Sequence, residues 1–135
     1  MTRPRIIAVA LAAAAIFVAG VANAEHFDAG LTRLQLEQRF AELRAKKTLR
    51  VDKPLRWEYS FSSADGQALE ALSVMLVAED YKIVSLRPPR GGEAASTLHV
   101  MRVEQHTPQS LEQRSAELKQ RAADQGVTYD GVDAQ

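Results

Sequence analysis

The chain has 135 residues, equal numbers of acidic and basic side chains, and no cysteine. This composition excludes disulfide bonds and a lipid-modified cysteine. The balanced charge gives no electrostatic reason to bind nucleic acid or an anionic membrane surface. We therefore expect no nucleic-acid partner and, once the leader described next is removed, no membrane partner.

The first 24 residues have the order of a secretory signal. Arg3 and Arg5 precede an uncharged apolar run over residues 6–21, and an Ala-Asn-Ala triplet follows at residues 22–24. A helix that spans a bilayer needs about 20 apolar residues. This shorter, alanine-rich run therefore favours a cleaved signal peptide over a retained membrane anchor.

Removal of the leader leaves a chain of the size at which a single domain is most common. The expected division is a signal peptide over residues 1–24, an N-terminal helix and linker over residues 25–54, and one domain over residues 55–135. We expect the mature protein to be periplasmic or secreted.

Apolar residues at helical spacing predict an amphipathic helix over residues 31–47, and Pro54 prevents it from continuing far beyond Arg50. The expected apolar stripe comprises Leu31, Leu34, Phe40 and Leu43, with Leu36 as a further candidate. Such a stripe must be covered. Either it packs on the domain that follows, or it serves as a docking or self-association helix.

The next segment alternates strictly between apolar and polar residues, which predicts a half-buried strand over residues 55–61. Its apolar side carries Leu55, Trp57, Tyr59 and Phe61, and its polar side carries Arg56, Glu58 and Ser60. A helix capped by Ser62 or Ser63 is predicted next and extends to Glu79. A strand over 81–86, a loop over 87–92 and a strand over 97–105 follow. A helix from Thr107 and Pro108 to Gly126 and a short strand over 127–129 complete the prediction.

This order predicts an α+β fold in which a helix precedes a ferredoxin-like βαββαβ split sandwich. The expected sheet has four antiparallel strands with both helices of the unit on one face. Sheets of this type also bind RNA on exposed aromatic residues. Here exposure of Trp57 and Tyr59 would bury Arg56 and Glu58 beneath the helices, at a cost of several kcal/mol. We therefore expect the aromatic side to form the core and the polar side to face solvent or a partner.

The residues give little support to catalysis. His26, His99 and His106 lack any metal-ligand spacing, no serine lies in a nucleophile motif, and we expect no metal and no cofactor. His99 and His106 bracket a strand end and face opposite sides by strand parity. The alternative function is a small periplasmic hydrolase or ligand-binding protein, which requires Asp130, His99 and His106 to converge within hydrogen-bond reach.

The end of the chain carries a family resemblance. Residues 55–131 run from an aromatic strand through an Ala- and Leu-rich helix, a hairpin and a last helix to Tyr129, Asp130 and Gly131. This pattern resembles the family of the regulator of ribonuclease E activity B. Family members usually end in a glycine pair, one residue, then Tyr-Asp-Gly and a tryptophan. Here the first glycine of the pair is replaced by Gln125 and the tryptophan by Val132.

The resemblance implies a non-catalytic interaction domain, because family members act by binding a cytoplasmic ribonuclease without chemistry. An exported chain would not meet that enzyme, so the expected partner is an unknown periplasmic protein. Tyr129, Asp130 and Gly131 are the candidate partner-binding residues. Their alternative role is structural, with the glycine permitting a tight turn, the aspartate bonding the backbone of that turn and the tyrosine packing on the sheet edge.

Overall fold

The computed structural model describes residues 24–135. The predicted signal peptide therefore lies, apart from Ala24, outside the described residues. Within these residues, none of the helices combines the length and the apolar character that crossing a bilayer requires. The described elements are β1 (Glu25–Asp28), α1 (Arg33–Lys46), β2 (Leu55–Ser63), α2 (Gly66–Ala78), β3 (Lys82–Arg87), β4 (Ser96–Glu104), α3 (Pro108–Asp124) and β5 (Thr128–Ala134).

The strands form one antiparallel sheet in the order β1-β5-β2-β4-β3. The α+β class is confirmed, but the sheet described has five strands, and the expectation of four was wrong. The additional strand, β1, is four residues long and has Phe27 as its one large apolar residue, so it carries too little alternation to be read from sequence. β5 is also longer than the strand expected over 127–129.

The alternation in β2 sets which side of the sheet is buried. Trp57, Tyr59 and Phe61 are fully buried, as their shared parity predicted. Their neighbours across the ladders, including Leu98 and Val100 on β4, lie on the same side. Burial of each such side chain stabilises the fold by roughly 1.5–3 kcal/mol, so this side forms the core beneath the helices.

α1 packs onto this same core. A reciprocal capping box between Thr32 and Gln35 starts the helix, and its stripe of Leu36, Phe40 and Leu43 is buried. The ring of Phe40 lies 5.8 Å from that of Phe27 on β1. The expected position of Leu34 in the stripe was wrong: Leu34 is 62% exposed, because it lies on the opposite side of the helix from Leu36.

The other two helices begin at side-chain caps. Thr107 caps α3 and Pro108 occupies its first turn, as predicted. α2 is capped by Asp65, whose carboxylate accepts from the amide of Gln67, and the expected cap at Ser62 or Ser63 was wrong. Ser63, two residues before the cap, instead accepts a hydrogen bond from the amide of Asp65.

Candidate functional site

A cluster of polar side chains lies where β4 ends and α3 begins. We call it the Glu104 cluster, and its members are Tyr59, Glu104, His106, Ser110 and Arg114. Glu104 Oε2 accepts from the Tyr59 hydroxyl at 2.5 Å and lies 2.8 Å from His106 Nε2, while Glu104 Oε1 accepts from Arg114 Nη2 at 2.8 Å. His106 is buried and its ring stands edge-on to Trp57, 4.9 Å between centroids. The cluster thus borders the aromatic core.

Hydrogen bonding decides the charge of Glu104. Burial by itself raises the pKa of this carboxyl group, but hydrogen bonds from His106, Arg114 and Tyr59 outweigh burial and hold the pKa at about 2. Burial, followed by the nearby Glu104 carboxylate, raises the pKa of Tyr59. The pair is therefore a carboxylate that accepts from a neutral phenol, and Glu104 orients His106 with its hydrogen on Nε2.

Ser110, His106 and Glu104 are linked in the same order as the serine, histidine and carboxylate of a catalytic triad. Ser110 Oγ lies 2.9 Å from His106 Nδ1, and His106 Nε2 contacts Glu104. However, Ser110 Oγ also accepts from the Thr107 amide at 2.8 Å, as part of the α3 capping box, and lies 3.2 Å from the Thr107 carbonyl oxygen. The single hydroxyl hydrogen can go to His106 Nδ1 or to this carbonyl oxygen, but not to both. The hydroxyl is held by the helix cap, so the cluster fixes the reversal from β4 into α3.

A shallow cavity of about 210 Å³ opens beside this cluster. It is lined by Glu104, Gln105, His106, Ser110, Gln113, Arg114 and Glu117. Arg114 spans it, donating to Glu104 on one side and to Glu117 Oε1 at 2.9 Å on the other. The charged groups at the cavity thus already pair with one another.

The structure does not bring Asp130, His99 and His106 together. His99 Nδ1 lies 3.1 Å from Ser60 Oγ and 3.3 Å from Glu58 Oε2 on one side of the sheet, whereas His106 belongs to the Glu104 cluster on the other. Within residues 24–135, the side chains of these three residues make no hydrogen bond to one another. The opposite facing of the two histidines agrees with strand parity.

Tyr129, Asp130 and Gly131 lie inside β5, and the expectation that they form a tight turn was wrong. Tyr129 is buried, with its ring 5.4 Å from that of Phe61. Burial raises the pKa of Tyr129 to about 12. Phe61 pairs with Tyr129 and Ser60 pairs with Gly131, so Asp130 is the extra residue of a β-bulge. Asp130 is exposed, which leaves it as the accessible side chain of the three.

The side of the sheet away from the helices carries a second set of polar contacts. The sequence alone does not reveal them, because they depend on the register between neighbouring strands. We call it the open face. On it, His26 Nδ1 lies 2.6 Å from Asp133 Oδ1, and His99 contacts Glu58. The hydrogen bond from His99, outweighing partial burial, lowers the pKa of Glu58. The register places Asp133 beside Glu58 and so joins the two pairs into one row.

Among residues 24–135, no group of three or more histidine and carboxylate side chains is arranged to hold a metal ion.

Comparison with known proteins defines the family. No curated protein and no solved structure gives a significant match. The family model described as regulator of ribonuclease activity B matches residues 34–133, which span α1 to β5 and more than half of the chain. The chain therefore belongs to the regulator of ribonuclease activity B family.

Proposed function

We propose that this chain is an exported, non-catalytic regulatory domain that acts by binding another protein in the periplasm. The observation that carries the proposal is the family match over residues 34–133, which supports a regulatory, protein-binding role. The connectivity supports a ferredoxin-like unit as the scaffold: β5-β2-β4-β3 is the strand order of a split βαββαβ unit, with β1 added beside β5.

The chemistry of the Glu104 cluster is consistent with a role without catalysis. Ser110 is held by the helix cap, and Glu104 is bonded by Tyr59, His106 and Arg114. The open face, by contrast, leaves Arg56 and Val103 exposed. A protein partner could therefore reach this face without any change in the core.

The leader supports the site of action. Arg3 and Arg5, the apolar run and the Ala-Asn-Ala triplet form a secretory pattern. An exported chain is separated from a cytoplasmic ribonuclease, so we propose that the target has changed while a non-catalytic, protein-binding role is retained. β1 begins at Glu25, directly after the proposed cleavage point, so cleavage there leaves every described strand intact.

Expression of the full chain, followed by cell fractionation and intact mass measurement, tests the location. We expect a periplasmic protein that begins at Glu25, and a matched chain lacking residues 2–24 should stay in the cytoplasm. A mass that retains residues 1–24 would favour a membrane anchor. Tight binding of the purified exported protein to ribonuclease E would contradict the proposed change of target.

A further inference from the structure

The two edges of the sheet differ in length and chemistry. β1, at one edge, has four residues, two of them acidic. β3, at the other edge, has six residues and pairs with β4 on one side only. The outer backbone groups of an edge strand are free to pair with another chain, and proteins normally protect such strands.

The β3 edge is apolar on the side of the helices. Ile83 pairs with Val100 and Leu86 pairs with Leu98, so both point to the helix side, where they remain partly exposed. Because Val100 and Leu98 belong to the core, these two side chains extend the core surface to the rim of the sheet.

α2 adds one more apolar side chain to this rim. Met75 faces α3, since its sulfur accepts a hydrogen bond from Gln125 Nε2 at 3.4 Å. Val77 lies about 160° around the helix from Met75, on the flank directed away from α3 and toward β3. Val74 lies opposite the buried Leu76 and faces solvent. Val74 is 66% exposed and Val77 is also exposed. Val77 thus joins the exposed apolar side chains of β3 in an apolar surface on the helix side of this edge.

Basic side chains line the other side of the same edge. A bulge at Val84 shifts the register, so Lys82 opposite Met101 and Arg87 opposite Thr97 both point to the open face although they are five residues apart. Within residues 24–135, neither Lys82 nor Arg87 forms an ion pair. Arg87 Nε is moreover a buried polar atom without a hydrogen-bond partner among these residues. The edge therefore offers positive charge that the rest of the fold leaves unmatched.

The positions of these charges disfavour a second copy of β3 as the occupant. Antiparallel pairing of two β3 strands about their centre would set Lys82 of one copy opposite Arg87 of the other. Like charges directly opposite one another destabilise a strand pair. The same charges would attract a strand that carries carboxylates, so they oppose self-pairing and favour an acidic partner.

Building on the proposed protein-binding function, we propose that the β3 edge binds an extended acidic segment of the partner as an added strand. In this complex the apolar side chains of the segment pack on the apolar surface beside Val77 and Ile83, and its carboxylates on the other face meet Lys82 and Arg87. Main-chain hydrogen bonds to the edge supply affinity, and the two faces of the segment supply specificity.

The test uses the purified exported protein and two blocked, fluorescent peptides of about eight residues, one alternating valine with glutamate and one alternating valine with lysine. We expect the glutamate peptide to bind more tightly and to protect β3 amides from hydrogen exchange. Lys82→Glu combined with Arg87→Glu should weaken this binding about tenfold or more and reverse the preference between the peptides. Arg50→Glu combined with Lys119→Glu, which changes the net charge equally away from β3, should leave the preference unchanged.

Equal binding of both peptides, absence of binding, or protection away from β3 would overturn the proposal, provided that circular dichroism shows the double variant to be folded. Self-association that β3 charge reversal abolishes would assign the edge to a second copy and also overturn it. Photo-cross-linking groups placed at Val84 and at Val103 separate the two proposals in the periplasm. Cross-links from Val103 alone would refute the β3 site and leave the protein-binding function standing, whereas none from either position would count against both.

Discussion

The main-chain oxygen of Phe27 lies 2.6 Å from the point at which a Cβ atom of Gly131 would stand. Gly131 also has a φ of +129°, a conformation that side-chain-bearing residues rarely adopt. β1 can therefore lie against β5 because residue 131 has no side chain. The glycine of the family's Tyr-Asp-Gly ending thus permits the addition of the β1 strand to the sheet.

Gly131→Ala should lower the free energy of unfolding by about 2–4 kcal/mol, since it adds a steric clash to an unfavourable φ. Gly126→Ala is the control for a positive φ without a clash, because Gly126 has a φ of +73° and open space around its Cβ position. It should cost about 1 kcal/mol. Urea denaturation measures both, and equal losses would mean that the Phe27 carbonyl oxygen moves away without cost.

Glu104 should make stability depend on pH in the acid range. Its pKa falls from an ordinary 4.5 to about 2 on folding, so the ionised form stabilises the fold above about pH 4.5 and this contribution disappears as the pH falls to about 2. Its size is up to about 3 kcal/mol.

Glu104→Gln should therefore be less stable than wild type at neutral pH, and the difference should shrink as the pH falls toward 2. Glu42→Gln, at an exposed position on α1, is the control and should follow the wild-type profile. Denaturant midpoints across this pH range provide the measurement. A difference that stays constant with pH would show that Glu104 contributes through packing instead of charge.

Asp130→Ala should change stability by less than about 0.5 kcal/mol, because the side chain is exposed on a bulge and not in a turn that it could close. Loss of partner binding by this variant would therefore report a direct contact. Thermal melts in parallel with a binding assay on the partner identified by photo-cross-linking distinguish the two roles. A loss of binding that follows a lower melting midpoint would assign a structural role to Asp130.

Val132→Trp, which restores the aromatic residue usual in the family, should destabilise this chain by about 1–3 kcal/mol. Val132 is buried between its ladder neighbours Phe27 and Tyr59, where the larger ring has no room. Thr128→Trp places the same ring at an exposed position of β5 and should be close to neutral. A stable Val132→Trp protein would mean that β1 shifts to admit the ring.

Sequence periodicity identified the long elements, since β2 alternates strictly and α3 begins with Thr107 and Pro108. Periodicity did not predict features that depend on residues distant in the sequence but close in the fold. β1 forms a strand because Gly131, without a side chain, leaves room for its backbone. Leu34 is exposed because α1 packs on the core with the side that carries Leu36, opposite Leu34. The Glu104 cluster joins β2, β4 and α3, and no local pattern relates Tyr59 to Arg114. His106 is recognisable in the sequence as one of three histidines, but its contacts with Tyr59 and Glu104 depend on the register between β2 and β4.

The pairing of Glu25 with Ala134 places the first and last described strands side by side. A chain that emerges from its amino end exposes β1 first and completes β5 last. The most sequence-distant pairing of the sheet therefore forms only after β5 has emerged, and β1 stays unpaired until then. Truncation within β5 would consequently release β1 as well as the remainder of β5.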